Sequence, residues 1–427
     1  MNDAPRTRRR VLAAGVAGNV LEWYDFALYG YLAPITAAHF FPSSDPMASL
    51  VESYAVFALG LLARPLGGLI FGHIGDRFGR RHLLTLSVAL IALPTFLMGL
   101  LPTYESIGIA APILLAALRL IQGISAGGEF SGSIIFLVEH ARPHRRGLYG
   151  SVANFGAMVG GLLGAGCGWL VAASLTPEAM QEWGWRLPFL SGILVGFFGL
   201  WMRMGLPEPP AFAELAAAEA LERQPIRAAL RTQWRPMALS AGLNWVASAG
   251  YYIVFVWFVS DMTANGIAYS TSLAIGTLGL IAGLTATLVM GHLSDRVGPR
   301  PMLIYGSVVT AALSVPLLAL ASTGTLLAAT LAQFGLALLV AIFLGTLPAV
   351  FVSLHDVAMR CTALSLGYNM ALAIFGGTAP LVATLLVQGT GWSAAPGLYL
   401  ALTALVCGGL AFLLPREKRG WPMVQDR

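Results

Sequence analysis

Five ionisable side chains lie within long apolar stretches of the sequence: Glu22, Asp25, Arg64, Arg119 and Glu129. A charge at the centre of a membrane helix costs roughly 2.5–3.5 kcal/mol, so each needs a chemical reason. A carboxylate in a poorly solvated cavity can bind a proton on one side of a membrane and release it on the other. A guanidinium can hold a carboxylate through two parallel hydrogen bonds. These residue types indicate a proton-coupled site for a small anion or, alternatively, ion pairs that hold helices in register.

The spacing of the polar residues places them on two helix faces, because residues three or four positions apart share one face. The residues grouped in this way are Asn19, Glu22, Asp25 and Tyr29 in the first stretch, and Arg119, Gln122 and Glu129 in the fourth. We expect proton coupling from Asp25, Glu22 and Glu129. The expected substrate contacts in this part of the chain are Arg119, Arg64, Tyr24, Asn19 and Gln122.

The elements that must position these residues are membrane-spanning helices. Of the 427 residues 57% are hydrophobic and only 11% are charged, which excludes an ordinary soluble enzyme, a disordered chain and a nucleic-acid binder. A span needs about 20 mostly apolar residues, and runs of that length are too long for barrel strands. The sequence therefore predicts an all-α polytopic membrane protein. Its twelve predicted spans are 11–40, 48–75, 82–101, 108–138, 146–173, 184–205, 236–264, 270–296, 301–321, 325–354, 360–389 and 394–415.

No arrangement of ligands or nucleophiles indicates an enzyme, a metal site or a cofactor. Cys167, Cys361 and Cys407 lie in apolar runs at no metal-ligand spacing. The sequence also lacks a phosphate-binding loop and a nucleotide-binding domain, so we do not expect pumping driven by ATP. The expected partners are a small-molecule substrate, protons and the lipid bilayer, and no nucleic acid.

The basic residues predict the orientation in the membrane. Almost all of the 25 Lys and Arg residues fall in the N-terminus, in 76–82, 139–146, 203–235 and 296–300, at Arg360 and in the C-terminal tail. By the positive-inside rule, both termini are predicted to be cytoplasmic in a plasma (inner) membrane. The polar segment 206–235 is predicted to be a solvated linker between six-helix halves at 1–205 and 236–427. We expect a monomer.

A ten-residue motif occurs twice and supports two related halves. Residues 72–81 read GHIGDRFGRR after the second predicted span, and residues 291–300 read GHLSDRVGPR after the eighth. Repeated halves are typical of secondary transporters, whose substrate site lies between them near the middle of the membrane.

These loops resemble the cytoplasmic signature of the major facilitator superfamily. The first span, with NVLEWYDF at 19–26, resembles the metabolite:proton symporter family, as do RPLGG at 64–68, RLIQG at 119–123, GGE at 127–129, WGWRLPF at 183–189 and AIFGG at 373–377. Members of that family import osmolytes such as proline and betaine, or organic acids such as citrate, together with protons. The resemblance implies the twelve-helix major facilitator fold, and it is weaker in the C-terminal half.

The C-terminal half departs from the family in its seventh span, where 251–261 is rich in aromatic residues and has no proline. Aromatic walls with a few hydrogen-bonding groups suit a small organic solute. The predicted substrate contacts here are Tyr251, Tyr252, Trp257 and Asn369, for each of which ordinary helix packing is the alternative.

The repeated loops are predicted to form a cytoplasmic gate of charge contacts that, by the family resemblance, stabilises an outward-facing state. The gate residues are Asp76, Arg77, Arg80, Arg81, Glu139, Arg146, Asp295, Arg296 and Arg300. Glu139, with Arg145 and Arg146, is expected to join these contacts. The glycines of the fifth span, among them Gly156, Gly160 and Gly164, are predicted to permit close helix contact.

The residues and the resemblance together predict a proton-coupled symporter that imports a small organic acid anion, such as a di- or tricarboxylate, by rocking between two faces. The alternative solute is a zwitterionic osmolyte similar to proline or betaine. A proton/solute antiporter and a transporter-like sensor are further alternatives.

Overall fold

The computed structural model describes residues 4–43, 46–204 and 207–415, and within these ranges the regular elements are all helical. Twelve long helical segments in this part of the chain follow the twelve predicted spans, so the all-α fold is confirmed. Their bounds are α1, Ala4–Phe40; α2, Pro46–Leu62 with Arg64–Arg77; α3, Arg80–Leu100; α4, Ala110–Glu139; α5, Arg146–Ser174; α6, Arg186–Arg203; α7, Trp234–Ala264; α8, Tyr269–Val297; α9, Pro299–Ala321; α10, Leu326–Leu354; α11, Arg360–Ala371 with Gly377–Thr390; and α12, Pro396–Ala411.

Among the described residues, eight helices are individually long and apolar enough to cross a membrane, and the bent pair Pro177–Gly184 and Arg186–Arg203 makes a ninth. Two other segments are too short when taken alone. α2 is divided at Ala63 into pieces of 17 and 14 residues, and α12 has 16. The division precedes Pro65, which has no N–H for a continuous helix.

The chain forms two compact units. The first contains Met1–Phe136 and Gly156–Arg227, and the second contains Leu137–Phe155 and Ala228–Arg427. In the first unit α6 packs on α1 and α3, and in the second α12 packs on α7 and α9, so the same helix pairing recurs. The shorter stretch 137–155 groups with the C-terminal residues, which differs from the predicted boundaries at 205 and 236. The three-part division of the chain stays a prediction.

Glycines bring α5 against α1, as their spacing predicted. A Cβ atom at Gly160 would overlap the carbonyl oxygen of Val20, and one at Gly164 would overlap that of Tyr24. Since each glycine lies four residues from the next, the two backbones touch along consecutive turns. This contact fixes the helix that carries Glu22 and Asp25.

The repeated motif forms the turns between α2 and α3 and between α8 and α9. The glycine at its eighth position has a positive φ in both copies, 107° at Gly79 and 96° at Gly298. A side chain is strained in that conformation, so both copies require glycine there. The two copies of the motif therefore share a turn conformation as well as a sequence.

Candidate functional site

The centre of the first unit is an ion pair between Asp25 on α1 and Arg119 on α4. Arg119 Nη1 donates to Asp25 Oδ2 over 2.6 Å. The other carboxylate oxygen, Oδ1, accepts from Thr95 Oγ1 and from Gln122 Nε2, each at 2.9 Å. The guanidinium carbon lies 3.8 Å from the ring centroid of Tyr29. Both charged groups are about 1% exposed, so this pair is a polar network closed off from solvent.

A second pair joins Glu22, one helical turn from Asp25, to Arg64. Arg64 Nη1 donates to Glu22 Oε1 over 2.6 Å, and both side chains are buried. Arg64 also lies 5.9 Å from the ring centroid of Phe26. Glu22 Oε2 is buried and has no hydrogen-bond partner among the described residues. The carboxyl group of Glu22 is therefore held by fewer donors than that of Asp25.

Close contact between α2 and α4 positions both arginines. A Cβ atom at Gly123 would overlap the backbone of Gly60, and one at Gly127 would overlap the carbonyl of Arg64. Small residues at this contact let the helices approach until their arginines reach the two acids of α1. The structure thus brings together Glu22, Asp25, Arg64, Arg119 and Gln122.

Two other residues predicted to contact substrate make hydrogen bonds to neighbouring helices. Asn19 Nδ2 donates to Ser133 Oγ on α4 over 2.7 Å. The hydroxyl of Tyr24 donates to the carbonyl of Pro188 at the start of α6 over 2.9 Å, and it lies 2.7 Å from Ser191 Oγ. These contacts favour helix packing for Tyr24.

Glu129 lies in a separate buried cluster with Arg203, a residue that the sequence analysis did not select. Arg203 Nη2 lies 2.5 Å and Nη1 3.1 Å from the two carboxylate oxygens, and Ser87 also donates to Glu129. Arg203 further donates to the carbonyls of Ala14 and Leu84. Counting it among the polar loop charges was wrong, since it is buried in the last turn of α6. In the sequence, the apolar residues 204–206 after Arg203 indicate that it belongs to the span and not to the loop.

The aromatic residues of α7 surround an irregular turn. Tyr251 packs on Tyr252 and Phe255 with ring centroids 5.5 and 5.3 Å away. A π-helical turn, Ile253–Trp257, follows, and Gln333 Nε2 on α10 donates to the carbonyl of Val254 within it over 3.2 Å. Such turns free backbone groups and are frequent at functional sites.

The remaining predicted C-terminal contacts bond within the second unit. Trp257 Nε1 donates to Thr384 Oγ1 over 3.2 Å, and Asn369 Nδ2 donates to the carbonyl of Ser365 over 2.8 Å. α11 contains its own π turn, Leu372–Gly376.

In the first copy of the loop motif, Arg80 lies 3.5 Å from Asp76 and donates to the carbonyl of Gly75 over 2.8 Å. Glu208, outside the predicted gate, accepts the backbone N–H groups of Arg80 and Arg81 at 2.9 and 3.1 Å. Burial raises the pKa of Glu208, and these N–H bonds act in the opposite direction. The carboxylate of Glu208 thus caps the start of α3.

In the second copy, Asp295 accepts the backbone N–H groups of Gly147 and Leu148 at 2.7 and 2.9 Å and so caps the first turn of α5. Glu139 pairs with Arg360 over 2.6 Å, and both side chains are fully buried. Arg360, which the sequence placed in a polar loop outside the predicted gate, is thus a partner of Glu139.

The other predicted gate arginines differ in how exposed they are. The exposed ones are Arg77, Arg81 and Arg296. Arg300 is half-buried and donates to the carbonyl of Leu414 over 3.1 Å.

The chain is similar to characterised transporters along most of its length. The family described as sugar (and other) transporter matches residues 11–224. The proline/betaine transporter of Salmonella typhimurium strain LT2 is 34% identical over 411 residues, covering 93% of this chain and 81% of the relative. The citrate-proton symporter of Klebsiella pneumoniae is 34% identical over 399 residues, covering 92% and 89%.

Solved structures of low sequence identity share the fold. The proton:xylose symporter XylE, bound to 6-bromo-6-deoxy-D-glucose, has a TM-score of 0.81 at 16% identity and covers 98% of both chains. The transporter FucP in the outward conformation has a TM-score of 0.73 at 14% identity, covering 95% of this chain and 99% of the other. The twelve-helix architecture and the relatives agree with the family that the sequence motifs resemble. The chain is a multi-pass membrane protein that belongs to the sugar (and other) transporter family of the major facilitator superfamily.

Proposed function

We propose that this protein is a proton-coupled symporter of a small zwitterionic solute that carries one carboxylate, similar to proline or betaine. The observation that carries the proposal is the pair of buried acid–arginine contacts, Asp25 with Arg119 and Glu22 with Arg64. The relatives named as proline/betaine transporters support the same solute class.

The charge balance of the site favours a zwitterion over a di- or tricarboxylate. Asp25 and Glu22 already neutralise Arg119 and Arg64, so the four side chains sum to zero charge when all are ionised. A substrate carboxylate competes with Asp25 for Arg119 because guanidinium binds either one through the same N–H groups. A zwitterion brings its own cation for the displaced acid, whereas a tricarboxylate brings uncompensated charge into a buried site.

The proton is assigned to Glu22 because of the number of donors that each acid keeps. A proton on either oxygen of Asp25 would face a donor from Arg119, Thr95 or Gln122. A proton on Glu22 Oε2 displaces no donor among the described residues. Protonated Glu22 would release Arg64, so substrate and proton would each loosen one of the two pairs. Alternating access would then follow when both pairs have been exchanged.

The predicted cytoplasmic gate belongs to the same proposal. Asp76 with Arg80, Asp295 with the start of α5, and Glu139 with Arg360 would hold one access state until the central pairs are exchanged. The predicted cytoplasmic location of both termini places this gate on the inner face. We also propose that the transporter functions as a monomer.

The test is uptake into proteoliposomes of the purified protein under an inward proton gradient. We expect accumulation of labelled proline or glycine betaine that a protonophore abolishes. Glu22→Gln should leave solute binding and exchange in place while removing accumulation driven by the proton gradient. Arg119→Lys should weaken solute binding because the two parallel hydrogen bonds are lost. The matched control is Glu52→Gln, which removes an exposed carboxylate on α2.

A citrate-proton symporter among the relatives supports a second candidate, a tricarboxylate. Proton-driven accumulation of citrate without uptake of proline or betaine would favour it and would contradict the charge argument above. Absence of proton-driven uptake of either solute class would reject the symport proposal.

A further inference from the structure

The polar segment between the two sets of spans contains a short helix with two unlike faces. This linker helix, Pro225–Thr232, turns its small residues toward the start of α11. Ala229 is fully buried there with Met359 and Ala363. Thr232 Oγ1 also donates to the sulfur of Met359 over 3.4 Å. One side of the helix is therefore fixed to the protein.

The opposite side of the linker helix is basic, apolar and exposed. Arg227, Leu230 and Arg231 share it because they lie three and four residues apart. Leu230 is 50% exposed, and Trp234, the first residue of α7, is 56% exposed. Burying these two side chains would remove apolar surface from water, which a purely solvated connector would not require.

The arginines of this face are not neutralised by an acid that the structure describes. Arg227, Arg231 and Arg235 are exposed, and none forms an ion pair with another residue that the structure describes. Arg235 lies over the ring of Trp234 at 5.2 Å. The nearby acid Glu222 accepts the backbone N–H of Gln224 over 2.8 Å. The positive charge of the face is therefore available to an external anion.

The exposed face lies next to the start of a membrane span. Trp234 begins the span Trp234–Ala264, and Ala238, one turn further along α7, is also exposed. Tryptophan and arginine at the end of a span lie at headgroup depth. A helix with arginines beside leucine and tryptophan at that depth fits the interface of a bilayer with negative headgroups.

We propose that the face formed by Arg227, Leu230, Arg231, Trp234 and Arg235 docks on anionic phospholipid headgroups. Leu230 and Trp234 enter the acyl boundary, while the guanidinium groups bind phosphate oxygens. Because the opposite side of the helix contacts Met359, this contact would tether the start of α11 to the bilayer surface. The role is separate from solute transport at Asp25 and Arg119.

The test titrates the purified full-length protein in detergent with phosphatidylglycerol or with phosphatidylcholine of the same acyl chains, and follows the melting temperature. We expect phosphatidylglycerol to stabilise the protein at lower concentration than phosphatidylcholine. Each arginine near a negative surface contributes about fivefold in affinity. The double variant Arg227→Gln with Arg231→Gln should therefore raise the half-maximal phosphatidylglycerol concentration roughly 25-fold. The double variant Arg227→Lys with Arg231→Lys keeps both charges and should respond to phosphatidylglycerol like the wild type.

A matched control removes two exposed arginines elsewhere, Arg142→Gln with Arg145→Gln, and should leave the lipid response unchanged. Equal stabilisation by the two lipids would overturn the proposal. An equal loss in the control pair would also overturn it, since net charge alone would then explain the effect. If inorganic phosphate reproduces the stabilisation, the face is a phosphate site and the lipid interface is rejected.

Discussion

Removal of Arg203 should destabilise the protein strongly because it strands a buried carboxylate. In Arg203→Met, Glu129 loses donors to both oxygens and keeps the hydroxyl of Ser87. Breaking a buried pair from one side costs about 3–5 kcal/mol, since the remaining charge is uncompensated. Glu129→Gln should cost less, because Arg203 keeps its bonds to the carbonyls of Ala14 and Leu84.

The double variant Glu129→Gln with Arg203→Met measures the interaction between the two side chains, apart from the effect of replacing each one alone. We expect it to be more stable than the sum of the single variants predicts, with a coupling of about 1–3 kcal/mol. The measurement is equilibrium unfolding of the four proteins in detergent micelles, followed by circular dichroism. Additive single effects would refute the reasoning, because they would mean that the two charges do not stabilise each other.

The same four proteins test the predicted proton-coupling role of Glu129. Proton-driven uptake per folded molecule should stay within about threefold of the wild type in the double variant, roughly 0.7 kcal/mol in the transition-state free energy. The reason is that Glu129 is bonded to Arg203 and Ser87, whereas Asp25 is bonded to Arg119, Thr95 and Gln122. A folded double variant that binds solute but shows no proton-driven accumulation would instead mean that Glu129 takes part in proton coupling.

Three further predictions concern packing and the loops. Gly160→Leu should lower the melting temperature, and Gly161→Leu should not, because only the first side chain would meet the backbone of α1. Glu139→Gln should destabilise the purified protein by about 3 kcal/mol, measured by unfolding, since the buried guanidinium of Arg360 loses the negative charge of Glu139. Burial lowers the pKa of His355 to about 4. Its neutral form therefore contributes stability above pH 6.5, and that stability is lost as pH falls toward 4. His355→Gln should flatten this part of the melting-temperature profile.

Much of the fold follows from the sequence because each span must satisfy its backbone within lipid. Hydropathy predicted twelve segments, and the helices agree with them to within a few residues at most ends. The division of α2 at Ala63 and the π turns in α7 and α11 were not predicted. These irregularities exchange one backbone hydrogen-bond pattern for another without changing the apolar character of the stretch.

Which residues of the site pair with each other was harder to predict than which residues belong to it. Periodicity placed Asp25 and Glu22 on one face of α1, but it does not specify which neighbouring helix meets that face. Arg203 and Arg360 were missed as partners because counting charges assigns an arginine near a span end to the loop. Only the packed helices show that Glu129 and Glu139 each have an arginine nitrogen within 2.6 Å of a carboxylate oxygen.

Three buried acids of the first unit, Glu129, Asp25 and Glu22, differ in how completely they are bonded, and this difference argues for distinct roles. Glu129 receives three donors, two of them from one guanidinium with further bonds to backbone carbonyls. Asp25 also receives three donors, but its arginine has hydrogen bonds that a substrate carboxylate could take over. Glu22 receives one. Under the proposed function, Glu129 stabilises the helices, Asp25 would yield its arginine to the solute, and Glu22 would take the proton at the smallest loss of hydrogen bonds. The number of donors therefore separates Glu22 from the other two acids, and the exchangeable hydrogen bonds of Arg119 separate Asp25 from Glu129.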